Sequence, residues 1–195
     1  MLGGGHLSTL LTWDNEPVSS KPLESAPPLR HLIVVGGSQH EWESLTQGQW
    51  VDRMTELGKV ADHVGARWLV LRPFEGSPVE GTPVRTHTVG SCVVEAQPDG
   101  DGRERFVRAA TALQAASQSI TETAVDALMN APADVDPDLV VIVGAGHRTP
   151  RSLVWELAYS ELVYVDTDWQ HFGAVHLDEA IASYAHRHRR FGGID

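Results

Sequence analysis

The chain has 195 residues, 42% of them hydrophobic and 21% charged, the proportions of one globular domain able to bury about 70% of its unfolded surface. A formal net charge of −11 excludes a general binder of nucleic acid or anionic membrane, because both need a basic footprint. Cys92 is the only cysteine, which excludes an internal disulfide and a Cys-based zinc site and fits a reducing cytoplasm. No apolar run approaches the roughly 20 residues of a membrane span, and no basic segment followed by an apolar one marks a signal peptide. Residues 1–30 read as a flexible N-terminal arm, from Gly3-Gly4-Gly5 to Pro27-Pro28. Within it, Leu7, Leu10, Leu11 and Trp13 could form a short apolar turn for docking on a partner or a membrane surface.

From residue 31 onward the pattern is that of a folded domain, residues 31–195. His31–Val35 is an apolar run ending in Gly36-Gly37, as in a buried strand entering a tight turn. Trp50, Met54, Leu57, Ala61 and Val64 recur every three or four residues, which predicts an amphipathic helix stopped by Gly65. Trp68–Phe74 predicts a second strand, and residues 75–88, punctuated by Gly76, Pro78, Gly81 and Pro83, predict a loop. Val89–Ala96 predicts a third strand. A helical stretch follows with Phe106, Val107, Ala110, Leu113, Val125, Leu128 and Met129 as buried positions, weakest across Ser117–Thr123. Leu139–Val143 predicts a strand, Ser152–Tyr159 a helix, Leu162–Val165 a strand and Leu177–His188 the last helix. The alternation argues a single α/β domain with a largely parallel central sheet and flanking helices.

In such a sheet, ligands bind beyond the carboxyl ends of the strands, where backbone N–H groups and a helix dipole attract phosphate. The first such turn is Gly36-Gly37-Ser38-Gln39-His40-Glu41-Trp42. Taken alone, Gly36-Gly37 reads as a tight turn. Val143-Gly144-Ala145-Gly146 imitates a dinucleotide fingerprint, but Pro150 stands where its third small residue belongs. The ten histidines include no pair on one helix face suited to zinc, and no Gly-x-Ser-x-Gly elbow marks a hydrolase.

Three stretches carry a resemblance. Pro137–Ile142, Leu153–Leu162 with Trp169 and Phe172, and the terminal Arg189-Arg190-Phe191-Gly192-Gly193 resemble, in order and spacing, the C-terminal half of the cis-prenyltransferases. That is the family of undecaprenyl diphosphate synthase. The turn at Gly36 is similar to the family's His-x-x-x-x-Met-Asp-Gly-Asn-x-Arg-Trp, and Asp101–Phe106 is similar to its Tyr-Gly-Gly-Arg-x-Asp-Ile. The resemblance implies a shortened version of that fold, because residues 75–88 replace the helices that wall the family's hydrophobic tunnel.

It also implies erosion of the chemistry. Gly37 stands where the family has its catalytic Asp, and Glu41 replaces an Arg. A like charge about 4 Å from a phosphate would cost about 4 kcal/mol at an effective dielectric of about 20. Of the groups that grip isopentenyl diphosphate, Arg148 matches, with Arg151 beside it, while Ile142 and Pro150 replace an Arg and a Ser. Glu161 matches the family's magnesium-ligating Glu, but one carboxylate makes a weak magnesium site. No catalytic residue is therefore expected in this chain.

The terminal Arg190-Phe191-Gly192-Gly193 is similar to the Arg-x-Gly ending of degenerate subunits of the Nogo-B receptor type, which reach into a partner's site. A guanidinium and two Gly N–H groups form a suitable diphosphate cradle. The resemblance thus implies a non-catalytic accessory subunit, inactive alone, paired with a catalytic cis-prenyltransferase that holds most of the magnesium. It also implies a cytoplasmic location, peripheral to a membrane through that partner. Two alternatives stay open: a divergent magnesium-dependent short-chain prenyltransferase or terpene-type synthase acting alone, and a binding protein with no diphosphate role.

Overall fold

In the computed structural model, which describes residues 28–76, 82–144, 146, 148–158 and 160–191, the strands run from fully apolar segments outward. β1 (His31–Val35), β2 (Trp68–Arg72) and β5 (Leu139–Val143) are buried at every residue, as continuous apolar runs in a sheet covered on both faces must be. They form the middle of a six-stranded sheet ordered β3-β4-β2-β1-β5-β6. β4 (Cys92–Ala96) and β6 (Glu161–Val165) pair in parallel with β2 and β5, while β3 (Arg85–Val89) is the one antiparallel member, paired with β4.

Helices α1 (Gln39–Ser44) and α2 (Gln47–His63) follow β1, and α5 (Ala174–Phe191) follows β6. α2 and α5 cover one face of the sheet, burying Trp50, Met54, Leu57, Ala61, Leu177 and Tyr184 against Leu32, Leu69, Val94 and Val141. α3 (Gly102–Ala115) and α4 (Glu122–Met129) pack on each other through Ala109, Leu113, Val125 and Met129. Leu153, from a 3-10 turn, joins Ile33, Val70, Val140 and Ile142 on the second face of the sheet.

The predicted sheet, its parallel character and the α2 face are all present. Four local readings change. Residues 75–88 are not loop throughout: Arg85–Val89 is an edge strand joined to β4 by Gly90 (φ +58) and Ser91. Its outward Thr86 and Thr88 are exposed, while Arg85, His87 and Val89 turn toward α2, so its alternation is polar and hides among the loop punctuation. Val89 accordingly ends β3 instead of opening β4. The segment Ser152–Tyr159 is two 3-10 turns, Arg151–Leu153 and Glu156–Ala158, instead of a helix. On α3 the buried face is Arg105, Ala109 and Leu113, and Phe106 and Val107 are exposed, as is Leu128 on α4. The break across Ser117–Thr123 is real: α3 stops at Ala115, Ser117 takes φ +56, and Thr121 caps α4.

Arg105 is buried because it meets Glu156. That carboxylate also binds Arg72 at the end of β2, and both arginines reach the Met129 carbonyl of α4. Burial draws the Arg72 guanidinium below its ordinary range. Burial pushes the Glu156 carboxyl up, but the two guanidinium groups overcome this and hold it well below the usual range. Removing one partner strands the others, so Glu156→Gln is expected to cost about 3–5 kcal/mol in urea denaturation. The triple variant Arg72→Met, Arg105→Leu, Glu156→Leu is expected to lose much less, since it leaves no buried charge.

At the other end of β1, His31 is fully buried and its Nδ1 lies 2.9 Å from the Val135 carbonyl. Burial lowers its pKa from 6.5 to about 4, although the Val135 carbonyl pulls the other way. The unfolded chain therefore takes up this proton from about pH 6.5 downward, and the folded chain only near about pH 4. The contribution to stability is complete above that window and falls by up to about 3 kcal/mol across it. Denaturation midpoints measured through the window are expected to fall steeply for the native chain. For His31→Gln they should start lower and stay flatter.

Candidate functional site

The carboxyl ends of β1, β2, β4, β5 and β6 open onto the turn at Gly36, which is where the fold would place a ligand. Gly36 donates its N–H to the Arg72 carbonyl at 3.0 Å, and Phe74 donates to the Gly37 carbonyl at 2.8 Å, so β1 and β2 leave the sheet together. Ser38 then opens α1 with a capping box. The Glu41 carboxylate accepts from the Ser38 N–H at 2.8 Å and from its hydroxyl at 2.9 Å, while the Glu41 N–H reaches the Ser38 oxygen at 3.3 Å. The chain's own carboxylate thus satisfies an N–H that would otherwise face an anion. The pattern Ser38-x-x-Glu41 signals this cap in the sequence.

Gly37 takes φ +75, in the left-handed region, and a Cβ added there would meet the indole of Trp169 at 2.7 Å. A Cβ at Gly36 would meet the same ring at 2.9 Å and Val143 at 2.8 Å. Trp169 itself stacks on Trp42, with ring centroids 5.6 Å apart, and on Phe172 at 6.4 Å. Trp42 fixes the column by donating its indole N–H to the Gly36 carbonyl at 2.8 Å, and Trp50 meets it edge-on. Arg53 closes the far side, its guanidinium 4.4 Å from the Trp169 centroid and donating to the Trp169 carbonyl at 2.7 Å. An aromatic column therefore stands against the position a Cβ on residue 37 would take.

The surroundings are acidic. A cleft of about 450 Å³ beside the turn is lined by Glu41, Asp52 and Glu56 against Arg53. Glu75, Asp99, Asp166 and Asp168 follow the ends of β2, β4 and β6. The Asp168 carboxylate is held below its ordinary range by the ring and backbone N–H of His171. A diphosphate would meet repulsion here.

The remaining candidate residues are dispersed. Arg148 is exposed and its guanidinium stands 5.4 Å from the Phe74 ring centroid, at the Gly37 end of the sheet. Arg151 is exposed at the first 3-10 turn, its carbonyl against Gly102 of α3. Ile142 and Pro150 are both buried. Glu161 lies at the opposite end of the sheet: it pairs with Leu139, the first residue of β5, and sits 3.7 Å from Arg187. One chain does not bring Glu161 and Gly37 to one metal ion. α5 runs to the same end as Glu161 and includes Arg190 and Phe191 in its last turn, while Gly192 and Gly193 lie outside the described residues. Of the arm expected over residues 1–30, residues 1–27 also lie outside them, while Leu29 is buried and the Arg30 N–H donates to Asp138 at 2.7 Å. Among the described residues no cluster of three or more His, Cys, Asp or Glu side chains suits a metal ion, and no helix is long and apolar enough to cross a membrane.

The fold is a single α/β domain with a largely parallel six-stranded sheet and flanking helices. A family model described as "Putative undecaprenyl diphosphate synthase" matches residues 86–192, more than half of the 195 residues. The chain belongs to that family, the cis-prenyltransferases. An isoprenyl transferase of Nitrosomonas europaea is 52% identical over 66 residues, which are 34% of this chain and 24% of that protein. The curated relative is thus matched over about a quarter of its length. A probable undecaprenyl diphosphate synthase of Campylobacter jejuni shares the fold with a TM-score of 0.54 at 18% identity, over 80% of this chain and 95% of that one. Lavandulyl diphosphate synthase of Lavandula x intermedia, solved with dimethylallyl diphosphate, gives a TM-score of 0.57 at 16% identity, over 80% and 94%.

Restoring the family's acidic residue is expected to fail. Gly37→Asp should cost about 1–3 kcal/mol through its left-handed backbone and the clash with Trp169, read as a lower melting temperature. Magnesium should not raise that temperature. A magnesium-dependent rise would show that the new carboxylate reaches a usable position.

Proposed function

We propose that this chain is a non-catalytic accessory subunit of a heteromeric cis-prenyltransferase. The complex condenses isopentenyl diphosphate with an allylic diphosphate, using magnesium held mainly by the catalytic partner. The observation that carries this reading is Gly37 itself, which stands at the position matched to the family's acidic residue, with the Trp169 ring 2.7 Å from where a Cβ would be. Glu41, bound to the Ser38 N–H, adds a fixed negative charge where a phosphate would sit. The role of Arg190-Phe191-Gly192-Gly193 in the partner's site is supported by the course of α5. That helix runs to the end of the sheet opposite Gly37, where Arg187 donates to the Leu162 carbonyl at 2.7 Å.

A surface for the partner is available on the α3 side. Phe106 stacks on Trp155 with centroids 5.7 Å apart, and Phe106, Val107, Val154 and Leu157 are all exposed. Apolar groups concentrated in this way are characteristic of interaction surfaces. Arg148 and Arg151 are exposed and available to a shared diphosphate site, and Glu161 sits 3.7 Å from Arg187 of α5. The reading includes a cytoplasmic complex, peripheral to a membrane through the partner.

The test is reconstitution with a full-length catalytic relative. The purified chain alone is expected to show no turnover with magnesium and allylic substrate. The pair should exceed the partner alone, and Arg190→Ala should lower the rate of the pair by about tenfold or more, the loss of one charge-assisted diphosphate contact. Turnover by this chain alone, or a partner indifferent to it, sinks the reading.

A further inference from the structure

α2 and α5 lie side by side on one face of the sheet, and between them runs a groove of about 880 Å³. Its α2 wall is formed by residues three and four apart, Asp52, Glu56, Val60 and their neighbours, so three turns of one helix face contribute. The α5 wall adds Val175, which is 68% exposed, with Asp178 and Glu179 one turn further on. Glu56 also accepts from the Ala174 N–H at 2.7 Å, which fixes the start of α5 against α2 and holds the groove open at a set width. Lys59 and His63 are the cationic members of the lining.

We propose that this groove docks a basic amphipathic helix of a protein partner. Val60 and Val175 offer an apolar floor, and carboxylates stand on both walls, two from each helix. A helix with one apolar stripe flanked by Lys or Arg on each side matches that arrangement, in the manner of a third helix laid into a helix pair. The chain's own residues 1–30 are a poor match, because Asp14, Glu16 and Glu24 outnumber Lys21 and Arg30. The groove lies on the opposite face of the sheet from Phe106, Val154 and Leu157, so its occupant does not compete for that surface. The proposal is independent of the accessory-subunit reading.

The experiment is fluorescence anisotropy of the full chain with a labelled synthetic amphipathic peptide, leucine on one face and lysine on its flanks. Saturable binding is expected, weakened about tenfold by Asp178→Lys with Glu179→Lys and also by Val175→Gln. The same charge change at the exposed Asp134 and Asp166, as Asp134→Lys with Asp166→Lys, should leave binding intact. The Asp178→Lys, Glu179→Lys chain should instead bind a peptide with glutamate flanks. Equal weakening by the control pair would reduce the effect to net charge and overturn the proposal. So would the absence of saturable binding, binding that appears only after residues 1–27 are removed, or groove variants that merely dissociate a dimer of this chain in sedimentation.

Discussion

The carboxylate of Glu156 between Arg72 and Arg105 is the constraint from which much of the architecture follows. Arg72 is the last residue of β2, and its carbonyl receives the Gly36 N–H. Arg105 belongs to α3, Glu156 to the second 3-10 turn, and the Met129 carbonyl that both arginines reach ends α4. Four segments distant in sequence thus share one buried charge cluster. A buried ion pair adds little net stability over apolar packing, but a misplaced segment would leave a charge unpaired, which is far more costly. The cluster acts chiefly by excluding alternative arrangements of the α3 side. It also explains why Arg sits in an otherwise apolar strand.

A second interaction decides what that scaffold can do. Once β1 and β6 are neighbours of β5 in the sheet, the chain after β6 passes over the turn after β1, and Trp169 comes to rest on Gly36 and Gly37. Trp42, Phe172 and Arg53 then lock the indole in place. The result is an aromatic column packed against the turn after β1. Electrostatics agree with sterics: the fixed Glu41 carboxylate and the acidic cleft beside it disfavour a polyanion at the same point. A side chain at position 37 would have to displace this indole or shift the turn.

The strands, the α2 face and the parallel topology were legible because buried strands and amphipathic helices impose periods on the sequence. Trp50, Met54, Leu57 and Ala61 are all buried, as their spacing predicts. The Ser38-x-x-Glu41 box was written there too, though it reads first as a lost Arg. β3 was hidden because an edge strand needs only alternate half-burial, and Arg85-Thr86-His87-Thr88-Val89 looks like loop. Phe106 and Val107 were misassigned to the interior because hydrophobicity alone does not distinguish a core face from an exposed apolar face. Arg105 was overlooked for the converse reason: its burial depends on Glu156, some 51 residues away.

The sequence by itself determined the family, the α/β class and the identities of the eroded positions, because these are carried by local pattern and residue type. Only the tertiary structure decided which eroded positions matter. Gly37 is one small residue in a string of letters, and only the fold brings Trp169, more than a hundred residues later, against it. Glu161 and Gly37 likewise fall at opposite ends of the sheet only when strand direction is known. The physical reason is common to both: occupancy of space and distance between charges belong to pairs of residues, and only the fold chooses the pairs.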